Sequence, residues 1–364
     1  MEKNSKIYVA GHTGLVGSAL VRTLQAKGYK NIIGKTLEEL DLLRQADVEQ
    51  FFATEKPEYI LLAAAKVGGI VANNTYRAQF LYENLQIQNN IIHNSYKYGA
   101  KKLLFLGSSC IYPKNAPQPL KEDYLLTSEL EYTNEPYAIA KIAGMKMAES
   151  YGIQYGCNFI SVMPTNLYGP NDNYDLEKSH VLPALIRKMH LGKMLEMGNW
   201  EAVRADLDNR PIEGVNGKAL QTDVVNILLK YGIRMEPSLK GCMPNVFVTL
   251  WGTGAPRREF LHSNDMADAC VYLLENVDFN DVSKNKPVIN THINIGIGRD
   301  LTIKELAEKV KEIVGFNGKL IWDTSKPDGT MQKLLDVNKL NSLGWKEKIS
   351  MDEGIKGVYE NYKK

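Results

Sequence analysis

The sequence predicts an α/β fold in which a doubly wound parallel sheet is joined to a smaller C-terminal α/β lobe. Three observations predict it. Short apolar segments alternate with longer amphipathic ones through the first half of the 364-residue chain. Gly11, Gly14 and Gly17 follow the first apolar segment at three-residue spacing. Tyr137 stands four residues before Lys141 on a later amphipathic segment.

The predicted elements follow one another in the order that a doubly wound sheet requires. Each strand is a short apolar run, and each helix places apolar residues three and four apart. The predicted strands are 6–10, 31–34, 59–65, 102–107 and 158–163, and the predicted helices are 15–27, 47–54, 77–98 and 136–155. Asn134 can cap the last of these helices, and Pro136 suits its first turn. Because ligands bind at the carboxyl ends of parallel strands, the loops after these strands are candidate sites.

The glycine loop connects the first strand to the first helix. Glycines there permit a tight turn, and they let backbone N–H groups approach a pyrophosphate at the helix N-terminus, where the helix dipole favours an anion. This strand, turn and helix therefore predict a Rossmann-type dinucleotide site. Its predicted residues are Gly11, His12, Thr13, Gly14, Leu15, Val16 and Gly17.

The end of the second strand normally selects the cofactor. An acidic residue there binds the ribose 2′-hydroxyl of NAD, whereas a basic residue accommodates the 2′-phosphate of NADP. Here the strand ends in Gly34-Lys35-Thr36. We therefore predict NADP, used as NADPH, with Lys35 at the 2′-phosphate and Asp41 at the adenine edge. A solvated loop charge is nearly as good an interpretation of Lys35.

Tyr137 and Lys141 should project from one face of their helix, about one turn apart. A nearby ammonium favours the phenolate, so we expect it to lower the pKa of Tyr137. The tyrosine would then donate or accept a proton near neutral pH, as carbonyl reduction by a nicotinamide requires. Without the glycine loop, a surface tyrosine and a solvated lysine would be the better interpretation.

The strand at 102–107 ends in Gly107-Ser108-Ser109-Cys110, where a nicotinamide and a substrate would meet. Ser108 can hydrogen-bond a substrate oxygen beside Tyr137. The thiolate of Cys110 can act as a base on carbon if it faces the site. Base rates favour a buried, structural thiol by about two to one.

Composition and charge exclude several classes of function. The formal net charge is +2, charges of both signs are interleaved, and no apolar run reaches transmembrane length. We therefore expect no nucleic-acid partner and no membrane span. The first strand follows the N-terminus without a signal peptide, so we expect a cytoplasmic protein. The four cysteines (Cys110, Cys157, Cys242 and Cys270) are widely separated, so we expect neither a disulfide framework nor a metal site.

Several segments closely resemble the GDP-L-fucose synthase family of extended short-chain dehydrogenase/reductases. In the first half they are residues 9–12, 63–74, 107–113, 133–141 and 163–170. In the second half they are Ser179-His180-Val181, Arg258-Glu259-Phe260-Leu261-His262 and residues 325–330. The likeness covers nearly the whole chain. The Ser-Ser-Cys strand end combined with a downstream histidine is more specific than either motif alone.

The resemblance implies a two-stage reaction on GDP-4-dehydro-6-deoxy-α-D-mannose. C3 and C5 are epimerised first, and NADPH then reduces the C4 ketone to give GDP-L-fucose. The resemblance makes Cys110 the base and His180 the acid of the epimerisation. It makes Tyr137 the proton donor to the C4 oxygen, while Lys141 lowers the pKa of the tyrosine and Ser108 positions the oxygen.

The same resemblance implies the remaining ligand contacts. On the cofactor side they include Leu106, Gly107, Ser108, Ser109, Lys141, Pro164, Thr165, Asn166, Leu167 and His180. On the GDP-sugar side they are Lys188, Trp251, Arg258 and Asp328. Cations suit a diphosphate, an aromatic face suits a base or sugar, and a carboxylate suits hydroxyl or amine donors. The alternatives are an exposed helix lysine for Lys188 and a core aromatic for Trp251.

Two features depart from the family pattern. Thr13 stands where better-known members have an arginine, which weakens the prediction of NADP. Residues 197–248 form a much longer link than is typical, with a predicted helix at 219–231. Such an insertion is usually a lid, an oligomer contact or a neutral decoration. Its place between predicted substrate contacts favours a lid.

We predict two lobes with the active site in the cleft between them. Residues 1–175, with a return around 259–277, would form the NADP-binding domain. Residues 176–258 and 278–364 would form the substrate lobe, including the insertion at about 197–248. The resemblance also implies a homodimer built on the helices at 77–98 and 136–155. The small residues Ala138, Ala140, Ala143 and Gly144 would let these helices approach closely.

Two other functions stay open. One is an enzyme of the same fold that acts on another GDP-4-keto-6-deoxy sugar, such as a heptose, or that reduces without epimerising. The other is a non-catalytic protein that senses NADP. The joint presence of Ser108, Cys110, Tyr137, Lys141 and His180 argues against the second.

Overall fold

The computed structural model describes residues 1–236, 244–284 and 287–364, apart from the side chains of Ile70 and Val71. Cys242 therefore lies outside the described residues. The described chain divides into two compact units. The first unit comprises residues 1–171, 259–299 and 333–349, and the second comprises 172–258, 300–332 and 350–364.

The bounds of the elements are as follows. The strands are β1 (Ile7–Ala10), β2 (Ile32–Ile33), β3 (Tyr59–Leu62), β4 (Lys102–Leu106), β5 (Phe159–Pro164), β6 (Asn166–Tyr168), β7 (Ile233–Glu236), β8 (Asn245–Trp251), β9 (Arg257–Arg258), β10 (Phe260–His262), β11 (Ile293–Ile295), β12 (Leu301–Thr302), β13 (Lys319–Asp323) and β14 (Gln332–Lys333). The helices are α1 (Leu15–Ala26), α2 (Gln45–Glu55), α3 (Ile70–Thr75), α4 (Arg77–Lys97), α5 (Glu135–Tyr155), α6 (Val181–Glu196), α7 (Trp200–Asn209), α8 (Gln221–Lys230), α9 (Ser263–Asn276), α10 (Phe279–Val282), α11 (Ile303–Val314), α12 (Asn338–Ser342) and α13 (Met351–Tyr362).

A parallel sheet of order β11-β5-β4-β3-β1-β2 forms the centre of the first unit, counted over the described residues. Side chains alternate across it. Ile7 and Val9 belong to a core that includes residues of α1 and α9. Tyr8 and Ala10 belong to a second core that includes residues of α2, α4 and α5. Helices on both faces of a parallel sheet confirm the predicted doubly wound fold.

The predicted elements of this unit are found within a few residues of their expected bounds, but the predicted domain division differs. Residues 278–299 and 333–349 belong to the first unit rather than to the C-terminal lobe. The physical reason is the sheet: β11 pairs with β5 and supplies its last strand, with Ile293 opposite Val162. Trp345, 3% exposed, is buried in the same core as Ile7.

The second unit has a smaller sheet of order β13-β8-β7. β8 pairs in parallel with β13 and antiparallel with β7. α6 packs on β8, on α11 and on α7. Of the predicted insertion at 197–248, the described part contains α7, α8, β7 and the start of β8, and residues 237–243 lie outside the description. The helix predicted at 219–231 is α8, whereas α7 was not predicted.

A buried ion pair fixes α7 to α6. Arg187 of α6 is fully buried, and its Nη2 lies 2.9 Å from Oδ1 of Asp206 on α7. Arg187 also donates from Nη1 to the carbonyl of Tyr174 at 3.0 Å and from Nη2 to the carbonyl of Arg210. The hydroxyl of Tyr362, on α13, donates to Asp206. α7 is therefore held to α6, because separating the two helices would leave a buried guanidinium unpaired. The lid role of the insertion stays a prediction.

We expect Asp206→Ala to lower the free energy of unfolding by about 3–5 kcal/mol, because the change leaves the charge of Arg187 buried and unpaired. Urea denaturation measures this difference. Glu201→Ala is the matched control, since Glu201 lies exposed on the same helix. The control should lose about 1 kcal/mol or less. Equal losses in the two variants would show that the ion pair does not hold α7.

α4 and α5 pack against each other within the first unit. Ala138 and Ala140 are fully buried there. A Cβ on Gly144 would lie 2.6 Å from Oε1 of Gln88 on α4 and from Cζ of Phe105. These small residues therefore let α4 and α5 approach closely, as predicted, and the homodimer stays a prediction. No helix in the described ranges is long and apolar enough to span a bilayer.

Candidate active site

The glycine loop lies between β1 and α1, as predicted. Gly11 has a φ of +81°, and a Cβ there would lie 2.8 Å from the backbone of Ala64. A Cβ on Gly17 would lie 1.9 Å from the carbonyl oxygen of Gly11, so no larger residue fits at either position. Gly14 is the N-cap residue of α1, and the nearest atom to a Cβ there would be the Gly11 oxygen at 3.6 Å. This open space at a helix N-terminus fits the close approach of a pyrophosphate.

Charged residues surround the end of β2. Nζ of Lys35 lies 3.9 Å from Oε1 of Glu39, and the other Glu39 oxygen accepts from the N–H of Thr36 at 2.8 Å. The Thr36 hydrogen bonds and, to a smaller degree, Lys35 hold the pKa of Glu39 below its usual value. The ring of His12 packs on Gly34. A Cβ on Gly34 would lie only 2.4 Å from Cγ of His12. Lys35 therefore has an acidic neighbour, Glu39, which was not part of the predicted site.

The predicted adenine contact, Asp41, makes a local bond. Its Oδ1 accepts from the N–H of Leu43 at 3.0 Å.

Nδ1 of His12 is buried and has no hydrogen-bond partner among the described residues. An orphaned ring nitrogen beside the end of β2 is consistent with a ligand-binding position.

Tyr137 and Lys141 lie one turn apart on α5. Nζ of Lys141 lies 5.7 Å from the centroid of the Tyr137 ring and donates to the carbonyl of Leu106 at 2.8 Å. Lys141 is only 3% exposed. α5 begins with Pro136 in its first turn, as predicted, but the N-cap residue Asn134 makes no side-chain capping bond. The hydrogen bond to Leu106 fixes the ammonium at the end of β4.

The pKa values of this pair differ from the expectation. Burial raises the pKa of Tyr137, and the nearby Cys110 adds to the rise. Burial also lowers the pKa of Lys141 to about 8. Desolvation is therefore the largest cause of both shifts in pKa. Tyr137 carries its proton at neutral pH and so fits the role of proton donor, while Lys141 remains largely protonated.

Cys110 lies in a 3-10 helix, Ser109–Ile111, at the end of β4. Its N–H donates to Oγ of Ser108 at 3.3 Å. The residue is partly buried, and burial raises the pKa of its thiol. The charge of Lys333, the Ser108 hydroxyl and the charge of Lys141 oppose that rise. Ser108, Cys110, Tyr137 and Lys141 therefore come together within the first unit, and Lys333 joins them although no sequence pattern indicated it.

The predicted nicotinamide-side segment runs from the end of β5 into β6. Oγ1 of Thr165 and Nδ2 of Asn166 both donate to the carbonyl oxygen of Glu259, at 3.2 and 2.8 Å. The fully buried Glu259 carboxylate accepts from the N–H groups of Gly298 and Leu335 at 2.7 and 3.1 Å. Burial raises the pKa of Glu259 to about 7 against these backbone bonds. Glu259 thus supports the segment, a role that no sequence pattern indicated although the residue lies within the motif at 258–262.

The other predicted residues lie in the second unit. His180 is the exposed N-cap residue of α6, and Lys188 is two turns further along the same helix. Burial lowers the pKa of Lys188 to about 8. The side chain of Trp251, at the end of β8, is 65% exposed, and Nζ of Lys326 lies 5.6 Å from its ring centroid.

Arg258 and Asp328 belong to the same unit. Arg258 is partly buried, and burial lowers its pKa. Asp328 accepts from the N–H and the hydroxyl of Thr253 at 2.9 and 2.7 Å. Asp328 therefore fixes the turn after β8.

Within the described residues, no group of three or more His, Cys, Asp or Glu side chains is placed to hold a metal ion.

Comparison with known proteins identifies the family. The NAD dependent epimerase/dehydratase family matches residues 7–208 and 238–296. The chain belongs to this family. The unmatched residues 209–237 lie within the predicted insertion. GDP-L-fucose synthase 1 from Arabidopsis thaliana is 53% identical over 363 residues, covering 100% of this chain and 94% of the relative. This identity over the whole chain confirms the resemblance to the GDP-L-fucose synthases.

Two solved structures are similar to this chain at comparable identity. A GDP-6-OMe-4-keto-L-xylo-heptose reductase from Campylobacter jejuni is 49% identical, with a TM-score of 0.91, and covers 100% of this chain and 99% of the other. A GDP-D-glycero-L-gluco-heptose synthase from Campylobacter jejuni, solved in the presence of NADPH, is 48% identical with a TM-score of 0.91 and covers 100% of both chains.

Proposed function

We propose that the chain catalyses the GDP-L-fucose synthase reaction. In this reaction GDP-4-dehydro-6-deoxy-α-D-mannose is epimerised at C3 and C5, and NADPH then reduces C4 to give GDP-L-fucose. The observation that carries the proposal is the group formed by Ser108, Cys110, Tyr137 and Lys141 in the first unit. It combines a thiol that can act on carbon with a protonated phenol that can act on oxygen.

The epimerisation needs a base and an acid. The C4 ketone acidifies the protons on C3 and C5, because the carbanion left by deprotonation is delocalised into an enolate. We assign the role of base to the Cys110 thiolate. We assign the role of acid to His180, which would return a proton to the carbon from the opposite face of the sugar ring. Burial raises the pKa of the Cys110 thiol, but the positive charges of Lys333 and Lys141 partly offset that rise, which supports the assignment of Cys110.

The reduction needs a proton on the C4 oxygen. NADPH supplies the hydride to C4 when it is bound. Tyr137 donates the proton, since its raised pKa keeps the phenol protonated, and the Ser108 hydroxyl positions the oxygen. Lys141, held by the carbonyl of Leu106, provides the positive charge beside the phenolate that forms.

The second unit supplies the proposed contacts to the GDP-sugar. Lys188 and Arg258 provide cations for the diphosphate, and the exposed ring of Trp251 provides a face for the base or sugar. Asp328 accepts from hydroxyl or amine donors. In the first unit, the glycine loop and residues 164–167 would hold NADPH.

Deuterium exchange tests the proposal. The protein is incubated with the GDP-4-keto sugar in D2O without NADPH, and deuterium at C3 and C5 is measured by NMR. An epimerase introduces deuterium at both carbons, and addition of NADPH should then yield GDP-L-fucose. Reduction of the keto sugar without any exchange would exclude the proposed reaction.

A second candidate is C4 reduction of another GDP-4-keto-6-deoxy sugar, such as a heptose. The two solved structures at 48% and 49% identity, both named for GDP-heptoses, favour it. Comparison of kcat/KM for the hexose and the heptose substrates, together with the exchange measurement, separates the two candidates.

We further propose that the protein is a homodimer and works in the cytoplasm. Large apolar side chains remain exposed on the two long helices of the first unit. They are Tyr82 and Tyr96 on α4 and Ile139, Ile153 and Tyr155 on α5. An exposed apolar surface of this kind is typical of a subunit interface. Sedimentation velocity measures the oligomeric state.

The cofactor preference gives a separate prediction. If Lys35 binds the 2′-phosphate, kcat/KM should be higher with NADPH than with NADH, and Lys35→Glu should erase or reverse the difference. Losing one charge-assisted contact corresponds to about a ten- to hundredfold change. Glu39→Gln removes the carboxylate beside Lys35 and should favour NADPH further.

Glu38→Gln is the control, because Glu38 is a neighbouring exposed carboxylate with no resolved bond to Lys35. It should leave the ratio of the two kcat/KM values within about twofold. Equal kcat/KM values for NADH and NADPH in the wild-type enzyme would contradict the assignment of Lys35 to the 2′-phosphate.

A further inference from the structure

The turn that carries Cys110 is bounded by two hydrogen-bonding side chains. Before it, the hydroxyl of Ser108 accepts from the N–H of Cys110 at 3.3 Å. After it, Tyr112 is only 4% exposed, and its hydroxyl is directed into a buried polar cluster. We call Tyr112, His292 and Asn294 the buried triad. His292 and Asn294 are both fully buried.

The hydrogen bonds of the triad define its protonation. The hydroxyl of Tyr112 donates to Oδ1 of Asn294 at 2.5 Å and lies 3.0 Å from Nε2 of His292. Because the single hydroxyl proton goes to Asn294, Nε2 of His292 must be the donor to Tyr112. Burial, with the charges of Lys339 and Lys146, lowers the pKa of His292 to about 3, so the ring is neutral. The triad therefore has one consistent arrangement of protons: His292 donates to Tyr112, and Tyr112 donates to Asn294.

The triad is anchored to the central sheet. Asn294 is the middle residue of β11, which pairs with β5. Its Nδ2 donates to the carbonyls of Leu120 and Asp336 at 2.9 and 3.1 Å, and its N–H donates to Oε1 of Glu122 at 3.1 Å. The segment that follows Cys110 is therefore tied to a sheet strand at Tyr112, at Leu120 and at Glu122.

We infer that Tyr112 and His292 are positioning residues for the Cys110 thiol, a role that rests on the proposed function. A catalytic base must lie within hydrogen-bond reach of the proton that it removes, and a displacement of about 1 Å lowers a rate by about a hundredfold. The triad fixes the far end of the three-residue turn. Lys141 is held separately by the carbonyl of Leu106, so loosening the turn affects the epimerisation more than the reduction.

The test measures the two half-reactions separately in the full-length protein. Exchange at C3 and C5 is followed in D2O without NADPH, and reduction is followed as NADPH oxidation on keto sugar already epimerised by the wild-type enzyme. Tyr112→Phe should lower the exchange rate about ten- to a hundredfold and the reduction rate by about threefold or less. Tyr272→Phe is the matched control, because it also removes a hydroxyl hydrogen bond in the first unit, to the carbonyl of Leu343 at 2.9 Å.

Two His292 variants distinguish positioning from stability. His292→Phe removes the Nε2 donor, whereas His292→Gln provides an amide N–H that can replace it. We expect the exchange rate to fall in His292→Phe and to recover in His292→Gln. This pair decides the inference if Tyr112→Phe does not fold.

The outcomes separate the inference from the proposed function. A wild-type enzyme that reduces the keto sugar without exchange would overturn the proposed function, and the inference with it. Normal wild-type exchange, combined with unchanged exchange in Tyr112→Phe or with equal loss of both half-reactions, would overturn the inference alone. Failure of His292→Gln to recover exchange would do the same.

Discussion

Cys110→Ser is expected to lower the rate of deuterium exchange at C3 and C5 by about 10²–10⁴-fold, the usual contribution of a general base. A hydroxyl ionises far less readily than a thiol at neutral pH, so the variant lacks the group that removes the carbon-bound protons. The affinity for NADPH should not change. Because burial raises the pKa of the Cys110 thiol, wild-type exchange should also accelerate as the pH rises above 7 and more thiolate forms.

Cys157→Ser is the control for this experiment. Cys157 is also a free, partly buried thiol whose pKa burial raises, and no hydrogen bond or ion pair connects it with Ser108, Tyr137 or Lys141 in the described structure. The control should exchange at the wild-type rate. If Cys110→Ser exchanged as fast as the control, Cys110 would have no part in the mechanism.

Tyr137→Phe is expected to show the opposite defect. Removing the phenol leaves no donor for the C4 oxygen, so NADPH oxidation should fall by about 10²–10⁴-fold. Exchange at C3 and C5 should stay within a few-fold of the wild-type rate, because the base lies on another residue. The raised pKa of Tyr137 has a measurable consequence: reduction should not be lost as the pH rises from 6 to 8, since the phenol stays protonated throughout.

Tyr132→Phe is the matched control for the reduction. The side chain of Tyr132 lies just before α5 and is 66% exposed, so its loss should leave both half-reactions unchanged. Loss of exchange as well as reduction in a well-folded Tyr137→Phe enzyme would contradict the division of labour between Cys110 and Tyr137.

Local sequence patterns predicted the elements whose causes are local. The glycines at 11 and 17 are required by a positive φ and by a contact within the loop itself, so their spacing was sufficient. The same holds for the turn spacing of Tyr137 and Lys141. α7 was not predicted, although Asn199 caps it, because its position depends on a buried ion pair with α6 that no local pattern reveals.

Features that depend on distant residues could not be predicted from the sequence. The pKa of Tyr137 is set by burial, which follows from the packing of the whole unit. Glu259 supports Thr165 and Asn166 across more than ninety residues of sequence. β11 completes the sheet after a separation too long for a periodic pattern to indicate. In each case the decisive partner lies far away along the chain.

The alternation of the chain between its two units has a consequence for synthesis on the ribosome. The first unit needs residues 333–349, so most of the polypeptide must leave the exit tunnel before that unit can be completed. Until β11 emerges, β5 presents an unpaired strand edge on which another nascent chain could add. Closing so long a loop also slows folding. Truncation anywhere before residue 293 should therefore produce aggregation-prone fragments rather than a working dinucleotide domain.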